Sequence, residues 1–206
     1  MNFYTNVLQR GNNLHVRAVV NGERQNFKIR YQPTLFYPVD YETGYKTLEG
    51  KSVRPKNLAT MKEAKDWVDL YESQPGQVYG NTQYAYNYIS DTYEGQVDWD
   101  LDKILIVTID IEVECENGFP SAKLAEEPML SITIKNHQNK KIVVFGLHEF
   151  QNDRDDVTYI HCESEIHLLK EFLIFWEKHQ PDIITGWNTE FFDIPYLCNR
   201  ITKLFG

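Results

Sequence analysis

Six residues without a charge or a turn former, Ile104-Leu105-Ile106-Val107-Thr108-Ile109, run directly into Asp110-Ile111-Glu112. A continuous β-branched run of this length marks a strand buried on both faces, the central strand of a layered α/β domain. Side chains alternate along a strand, so Asp110 and Glu112 share one face while Ile111 and Val113 share the other. Two carboxylates about 7 Å apart along the backbone then stand at the end of that central strand. Like charges placed this way repel, and a cation between them relieves the repulsion. Their hard oxygen donors suit Mg²⁺ or Mn²⁺. The blander reading is that the strand exits into solvent and its acids are hydrated. Glu114 and Glu116 continue the same parity and are possible decoys.

The elements around this strand follow from pattern. Leu130, Ile132 and Ile134 alternate as a second strand, and Ile142-Val143-Val144-Phe145 makes a third after the turn-like Asn136-His137-Gln138-Asn139. Residues 151–158 read as acidic loop. Ser164 is an N-cap, followed by a helix whose stripe is Ile166, Leu169, Leu173 and Trp176, flanked by Leu168, Phe172 and Phe175. Pro181 lies beyond its end. Asp182-Ile183-Ile184-Thr185-Gly186 is a short strand, and a helix with Pro195 in its first turn follows Asp193. The order β-β-β-α-β-α resembles the RNase H-like nuclease fold.

The first half reads differently. Val16, Ala18 and Val20 alternate, Asn21-Gly22 supplies a tight hairpin turn, and Phe27, Ile29 and Tyr31 alternate on the return. Residues 40–58 read as loop with short strands. Thr60 and Glu63 form a capping box that starts a helix to about Ser73, with Met61, Ala64, Trp67, Val68 and Tyr71 buried. Residues 81–103 are aromatic and acidic and read as the path between two domains. Tyr84, Tyr86 and Tyr88 alternate like one strand face, suited either to packing between the domains or to stacking on single-stranded nucleic acid.

Charge sharpens the division. Of the net charge of −9, residues 1–103 carry −1 and residues 104–206 carry −8. The acidic half argues against a basic phosphate-binding surface and suits either a cation-collecting site or a solvated acidic face. No apolar run approaches the ~18 residues of a membrane span. The start, Met-Asn-Phe-Tyr-Thr-Asn, has no secretory pattern. Cys115, Cys162 and Cys198 are odd in number and lack CxxC spacing, so disulfide and zinc frameworks are not expected and a cytoplasmic location is. His161, His167 and His179 lack i, i+4 spacing, and Trp176 and Trp187 read as core.

A second polar cluster lies in Gly186-Trp187-Asn188-Thr189-Glu190-Phe191-Phe192-Asp193-Ile194-Pro195-Tyr196. Asn188 and Asp193 stand at the carboxyl edge of a sheet, a usual place for a site. Alternatively, Asn188 is a turn residue and Asp193 a helix-start acid favoured by the macrodipole.

Asp-x-Glu ending a buried strand, then Gly-Trp-Asn-x-x-x-Phe-Asp-x-Pro-Tyr about 80 residues later, resembles the first two exonuclease motifs of family B DNA polymerases. Tyr31-Gln32-Pro33-Thr34-Leu35-Phe36, the helix from Met61 to Trp67, and Ile89-Ser90-Asp91-Thr92-Tyr93 resemble the amino-terminal domain of T-even-type bacteriophage replicative polymerases. The resemblance covers the whole chain: a β-rich amino-terminal domain over 1–103 and an incomplete RNase H-like 3′–5′ exonuclease domain over 104–206, α+β in class. It implies two-metal hydrolysis of phosphodiesters at a primer 3′ end or in single-stranded DNA, with Mg²⁺ or Mn²⁺. Asp110 would bridge both ions, Glu112 would ligate one, and Asp193 would bind the second partly through water. Asn188 and Phe192 would position the terminal nucleotide. The family's third motif, Tyr-x-x-x-Asp on a later helix, is absent from these residues; Tyr196 and Arg200 offer only Tyr-x-x-x-Arg. The resemblance therefore implies a split or truncated polymerase, inactive or weak alone, whose palm and third motif come from a missing part or second chain. Glu114, Glu116 and Glu190 are the alternative sources of a third ligand. A second expectation is a module with a non-catalytic nuclease fold that binds template strand, a partner protein or its own mRNA.

Overall fold

Asn21 and Gly22 both adopt positive φ, 54° and 84°, which matches the twist of a two-residue hairpin turn. They join β2 (Asn13–Val20) to β3 (Glu23–Ile29), and β1 (Phe3–Arg10) pairs with the other edge of β2. The computed structural model describes residues 2–115 and 118–206, so Glu116 lies outside the described residues. They divide into two compact units, Met1–Lys103 and Ile104–Gly206.

In the first unit a second sheet joins β4 (Thr34–Pro38), β5 (Tyr45–Lys46) and β6 (Ser52–Asn57) in the order β4-β6-β5. Helix α1 (Met61–Leu70) begins as its capping box dictates. The Thr60 hydroxyl accepts from the Glu63 amide at 3.0 Å, while the Glu63 carboxylate reaches back one residue further than the N-cap, to the Ala59 amide at 2.8 Å. Residues 84–92 form helix α2, which corrects the strand expected from Tyr84, Tyr86 and Tyr88. The tyrosines follow the helical period: Tyr84 is buried and Tyr88, one turn on, packs against the same core, while Tyr86 between them is exposed. Tyr84 joins Leu14, Val16, Ala18, Leu35, Leu58, Met61 and Ala64 in the core of the first unit, so the start of the 81–103 stretch belongs to that unit and is more than a connecting path.

The second unit is a five-stranded sheet in the order β10-β9-β8-β7-β11. Strands β7 (Ile106–Val113), β8 (Met129–Asn136) and β9 (Ile142–Gly146) are antiparallel neighbours. Strand β11 (Ile183–Thr185) adds parallel to β7, and β10 (Val157–His161) adds parallel to β9. Strand β10 falls at the end of the stretch expected as loop. It is a short edge strand behind an acidic segment, too brief for periodicity to reveal. Helices α3 (Glu165–His179) and α4 (Asp193–Phe205) supply the apolar partners of one sheet face. Val107, Ile109, Ile111, Ile132, Ile134 and Phe145 from the sheet pack with Leu168, Leu169, Phe172, Tyr196 and Leu197 from the helices. Each large side chain so buried stabilises the fold by about 1.5–3 kcal/mol before entropy is counted.

The Ser164 cap is present, its Oγ accepting from the His167 amide at 3.3 Å. The buried stripe of α3 is Leu168, Leu169 and Phe172: Leu169 is where the sequence put it, but Leu168 and Phe172, expected as the flank, are buried with it, while Ile166 and Leu173 are more than a third exposed. A helix apolar on most sides has no unique stripe in sequence, and the sheet decides which side is covered.

Candidate active site

Asp110 and Glu112 occupy the sheet face opposite the helices, across from Thr133 and Ser131 of β8. Both are exposed. On the other side of β7 the partner strand is short: β11 pairs only as far as Thr185 with Thr108. Beyond that point the β7 edge needs another partner, and the start of α4 supplies it. Asp193 Oδ1 accepts from the Ile111 amide at 3.2 Å. The Asp193 side chain is thus fixed to the backbone between Asp110 and Glu112, from 82 positions away in sequence.

Burial raises the Asp193 pKa above the usual carboxylate value; the Ile111 amide and its own backbone amide pull it down, and the Asp110 charge pushes it up again. Asp193 is 4% exposed. Its position at the amino terminus of α4 favours its charge through the helix dipole, which works against burial.

The turn from β11 to α4 explains how Asp193 arrives there. A Cβ at Gly186 would stand 2.6 Å from the Ile109 carbonyl oxygen and 2.0 Å from Thr189 Oγ1. Only glycine lets the chain pass so close to β7. Asn188 takes positive φ, 56°, and its carbonyl accepts from the Phe191 and Phe192 amides at 3.0 and 2.9 Å. The Asn188 side chain is therefore carried on a left-handed turn, exposed. Thr189 Oγ1 is buried without a hydrogen-bond partner among the described residues.

Phe192 is half-buried and meets Phe119, 4.9 Å between ring centroids, and Tyr196, 5.5 Å, in tilted ring contacts of 46° and 42°. Phe119 is 82% exposed. Sequence reasoning missed it, because a lone Phe in a Gly-Phe-Pro stretch carries no periodic signal. Trp187, expected in the core, is 93% exposed, and Phe191 beside it is also exposed. Glu190 is exposed on the same turn, and the Glu114 amide donates to the Pro128 carbonyl just past the end of β7.

A second group of residues, given no structural role by sequence reasoning, secures the segment after β7. Arg200 binds Glu165 through Nε–Oε1 and Nη2–Oε2 contacts, both 2.7 Å, and its Nη1 donates to the Ala125 and Glu126 carbonyls at 3.0 and 2.7 Å. Glu165 Oε1 also accepts from the Met129 amide at 2.8 Å. One turn earlier on α4, the Tyr196 hydroxyl donates to the Glu127 carbonyl at 2.6 Å, and Asn199 donates to the Ala122 carbonyl at 2.9 Å. The helix that begins with Asp193 thus fastens residues 122–127 with three of its side chains, and Glu165 of α3 holds Met129.

The structure therefore brings Asp110 and Asp193 together on adjoining backbone, sets Glu112 on the Asp110 face, and backs Phe192 with Phe119. Among the described residues, no group of three or more His, Cys, Asp or Glu side chains is arranged to hold a metal ion. No helix among them is long and apolar enough to cross a membrane.

Comparison with known proteins identifies the lineage. Residues 65–206 match the family model described as DNA polymerase family B, exonuclease domain. The match begins inside α1, so it includes residues 65–103 of the first unit as well as the whole second unit. The chain is 32% identical over 232 residues to the DNA-directed DNA polymerase of Escherichia phage RB69 and 30% identical over 230 residues to that of Enterobacteria phage T4. Each alignment covers 99% of this chain and 26% of the relative. The DNA polymerase catalytic subunit of human herpesvirus 7 is 32% identical over 104 residues, 48% of this chain and 10% of its own length. The chain spans about a quarter of the length of the two phage relatives. With most of its length matched by the family model, from α1 through the sheet edge that holds Asp110 and Asp193, the chain belongs to the family B DNA polymerases.

Proposed function

We propose that this chain forms the amino-terminal portion of a replicative DNA polymerase and contributes part of a 3′–5′ proofreading site that hydrolyses the terminal phosphodiester of a primer strand. The observation that carries this reading is the bond from the Ile111 amide to Asp193, which fixes a buried carboxylate beside Asp110.

The donor set fits a small, hard divalent cation. Asp110, Glu112 and Asp193 offer only oxygen ligands; burial is the main cause of the upward shift at Asp193, and the Asp110 charge adds a smaller push in the same direction, a repulsion that a cation relieves. Asp110, Glu112 and Asp193 would hold Mg²⁺ or Mn²⁺, two ions in the complete site. A divalent cation there supplies charge that stabilises the developing charge on a phosphodiester and activates water. Asp193 keeps its carboxylate in place through the Ile111 amide. The Phe192 ring, braced by Phe119 and Tyr196, offers a platform for the terminal base, and Asn188 on its left-handed turn offers an amide to the sugar-phosphate. The third exonuclease motif and the polymerase palm would come from a further segment or a second chain.

Calorimetric titration with Mn²⁺ tests the site. Weak binding is expected for the 206-residue chain, reduced at least tenfold in Asp110→Ala and in Asp193→Ala. Equal heats from all three proteins would remove these carboxylates from a metal site. Added to a polypeptide carrying the third motif and palm, the chain should trim a 3′ end in a manner dependent on Asp110, Glu112 and Asp193, while alone it should do so near background. A specific observation favours a second reading, a nucleic-acid-binding module without catalysis: no three-ligand group is assembled among the described residues. Strand binding that persists in the Asp110→Ala/Asp193→Ala double variant, with no trimming after complementation, would select it.

A further inference from the structure

A cavity of about 200 Å³ opens at the other end of the same sheet, on its covered face. Its walls are Leu105, Val107, Ile134 and Val143 from the sheet and Phe175 and Trp176 from the end of α3. Val107 is three residues from Asp110 along β7 and points to the opposite face, so the cavity is about 10 Å from the carboxylates and separated from them by the sheet. It is larger than the engineered apolar cavity of about 150 Å³ that stays dry and takes up benzene. Its interior offers little for water to bind, and a single flat ring fits its volume.

The rest of the lining has a different chemistry. Its polar part is Asn136 at the end of β8, Asn139 and Lys141 on the turn to β9, and His179 at the end of α3. The turn itself uses most of the side-chain acceptors there. Asn136 Oδ1 accepts from the Gln138 and Asn139 amides at 2.8 and 3.3 Å, and Asn139 Oδ1 accepts from the Lys141 amide at 3.0 Å. Asn136 Oδ1 is then fully used and Asn139 Oδ1 keeps one lone pair, while both side chains carry an NH₂ group, which only donates. Lys141 adds an ammonium, and among the described residues it makes no ion pair. His179 stacks on Phe175 at 4.0 Å, its Nδ1 directed to the Phe175 carbonyl, so its ring extends the apolar wall. An apolar slot whose polar lining is mainly donors and one cation selects an amphiphile with an apolar body and an anionic head.

We propose that this cavity is a binding site for a small carboxylic acid with a single apolar ring, the ring lying between Trp176 and the sheet and the carboxylate meeting Lys141 and the Asn136 and Asn139 amides. The site uses none of the residues assigned to the proofreading reading and stands or falls without it.

Amide-resolved NMR of the complete chain, titrated with 3-phenylpropionate and separately with 3-phenylpropionamide, tests the proposal. Saturable shifts are expected at Trp176, Val143 and Lys141 with the acid, and weaker binding with the amide. Lys141→Gln, a surface change, should weaken the acid about tenfold, the worth of one charge-assisted hydrogen bond, and leave the amide unchanged. Val143→Phe, which fills the slot, should abolish both. The proposal is overturned if no saturable shift develops at millimolar ligand, if the shifts map to the Asp110 edge instead, or if Lys141→Gln binds the acid as tightly as the unaltered chain.

Discussion

Replacing Arg200 by Met tests whether the second unit depends on one buried ion pair. The Arg200 and Glu165 side chains are 9% and 13% exposed, so neither charge is solvated when its partner is gone. The substitution preserves much of the apolar stem but removes two contacts to Glu165 and two donors to the Ala125 and Glu126 carbonyls. Glu165 keeps only the Met129 amide among its described partners. Breaking one side of a buried pair costs about 3–5 kcal/mol, because the remaining charge is left uncompensated. The double replacement, Glu165→Met with Arg200→Met, removes that charge too. It still leaves the Met129 amide and the Ala125 and Glu126 carbonyls without these partners, at about 1 kcal/mol each. The double variant should therefore lose less than the sum of the singles, by about 2 kcal/mol or more. The chain has two units, so a global melting curve mixes them. Hydrogen exchange at the Ile132 and Ile134 amides of β8 reports the second unit alone. A loss below about 1 kcal/mol for Arg200→Met, or strict additivity in the double variant, refutes the reasoning: the pair would then be solvated and residues 122–129 held by other contacts.

Three further outcomes follow from the turn and the carboxylate it delivers. Asp193→Asn should be neutral or stabilising in metal-free buffer near neutral pH. Its folded pKa is raised, so the folded state holds the proton more tightly, and the unaltered chain loses stability as pH rises from about 3.9 through that raised value. The melting-temperature gap between variant and unaltered chain should therefore close as pH falls below that range, and a gap that widens on acidification would contradict the sign. Thr189→Val removes a buried hydroxyl without a partner and should stabilise by up to about 1 kcal/mol in the same exchange experiment; a loss above that would mean the hydroxyl is bonded. Gly186→Ala drives a methyl against Thr189 Oγ1 and the Ile109 carbonyl and should cost about 1–3 kcal/mol, with only partial relief from adding Thr189→Ala, since the backbone contact remains; an unchanged melting temperature would show the turn moves freely.

What was legible in the sequence was what short-range rules govern. Alternation put Asp110 and Glu112 on one face, and β7 has that register against β8. Asn21-Gly22 demanded a hairpin, Thr60 and Ser164 demanded helix starts, and each element begins there. The failures came where two periods fit one segment. Tyr84, Tyr86 and Tyr88 satisfy a period of two over five residues, and only the neighbouring Ile89 and the core they meet distinguish a helix. Strand β10 has five residues and pairs with β9 by parallel bonds that leave no hairpin signal. The α3 stripe was misplaced because apolar residues surround that helix, and which of them is buried depends on a sheet built from distant segments.

The site divides along the same line. Asp193 was identifiable as a helix-start acid following a turn, but its bond to Ile111 depends on β11 ending at Thr185 and exposing the β7 edge, a consequence of topology rather than of any local pattern. Tyr196 and Arg200 were noticed only as a failed match to a catalytic Tyr-x-x-x-Asp. Their spacing of four places both on the inner face of α4, and burial of an arginine there requires an acidic partner and carbonyl acceptors. The sequence holds the requirement but not its solution, since Glu165 precedes Arg200 by 35 positions and Ala125 by 75. A motif search treats Arg200 as a missing ligand. The structure pairs it with Glu165 and with the Ala125 and Glu126 carbonyls, as one of three side chains by which the helix that begins with Asp193 holds the segment after β7.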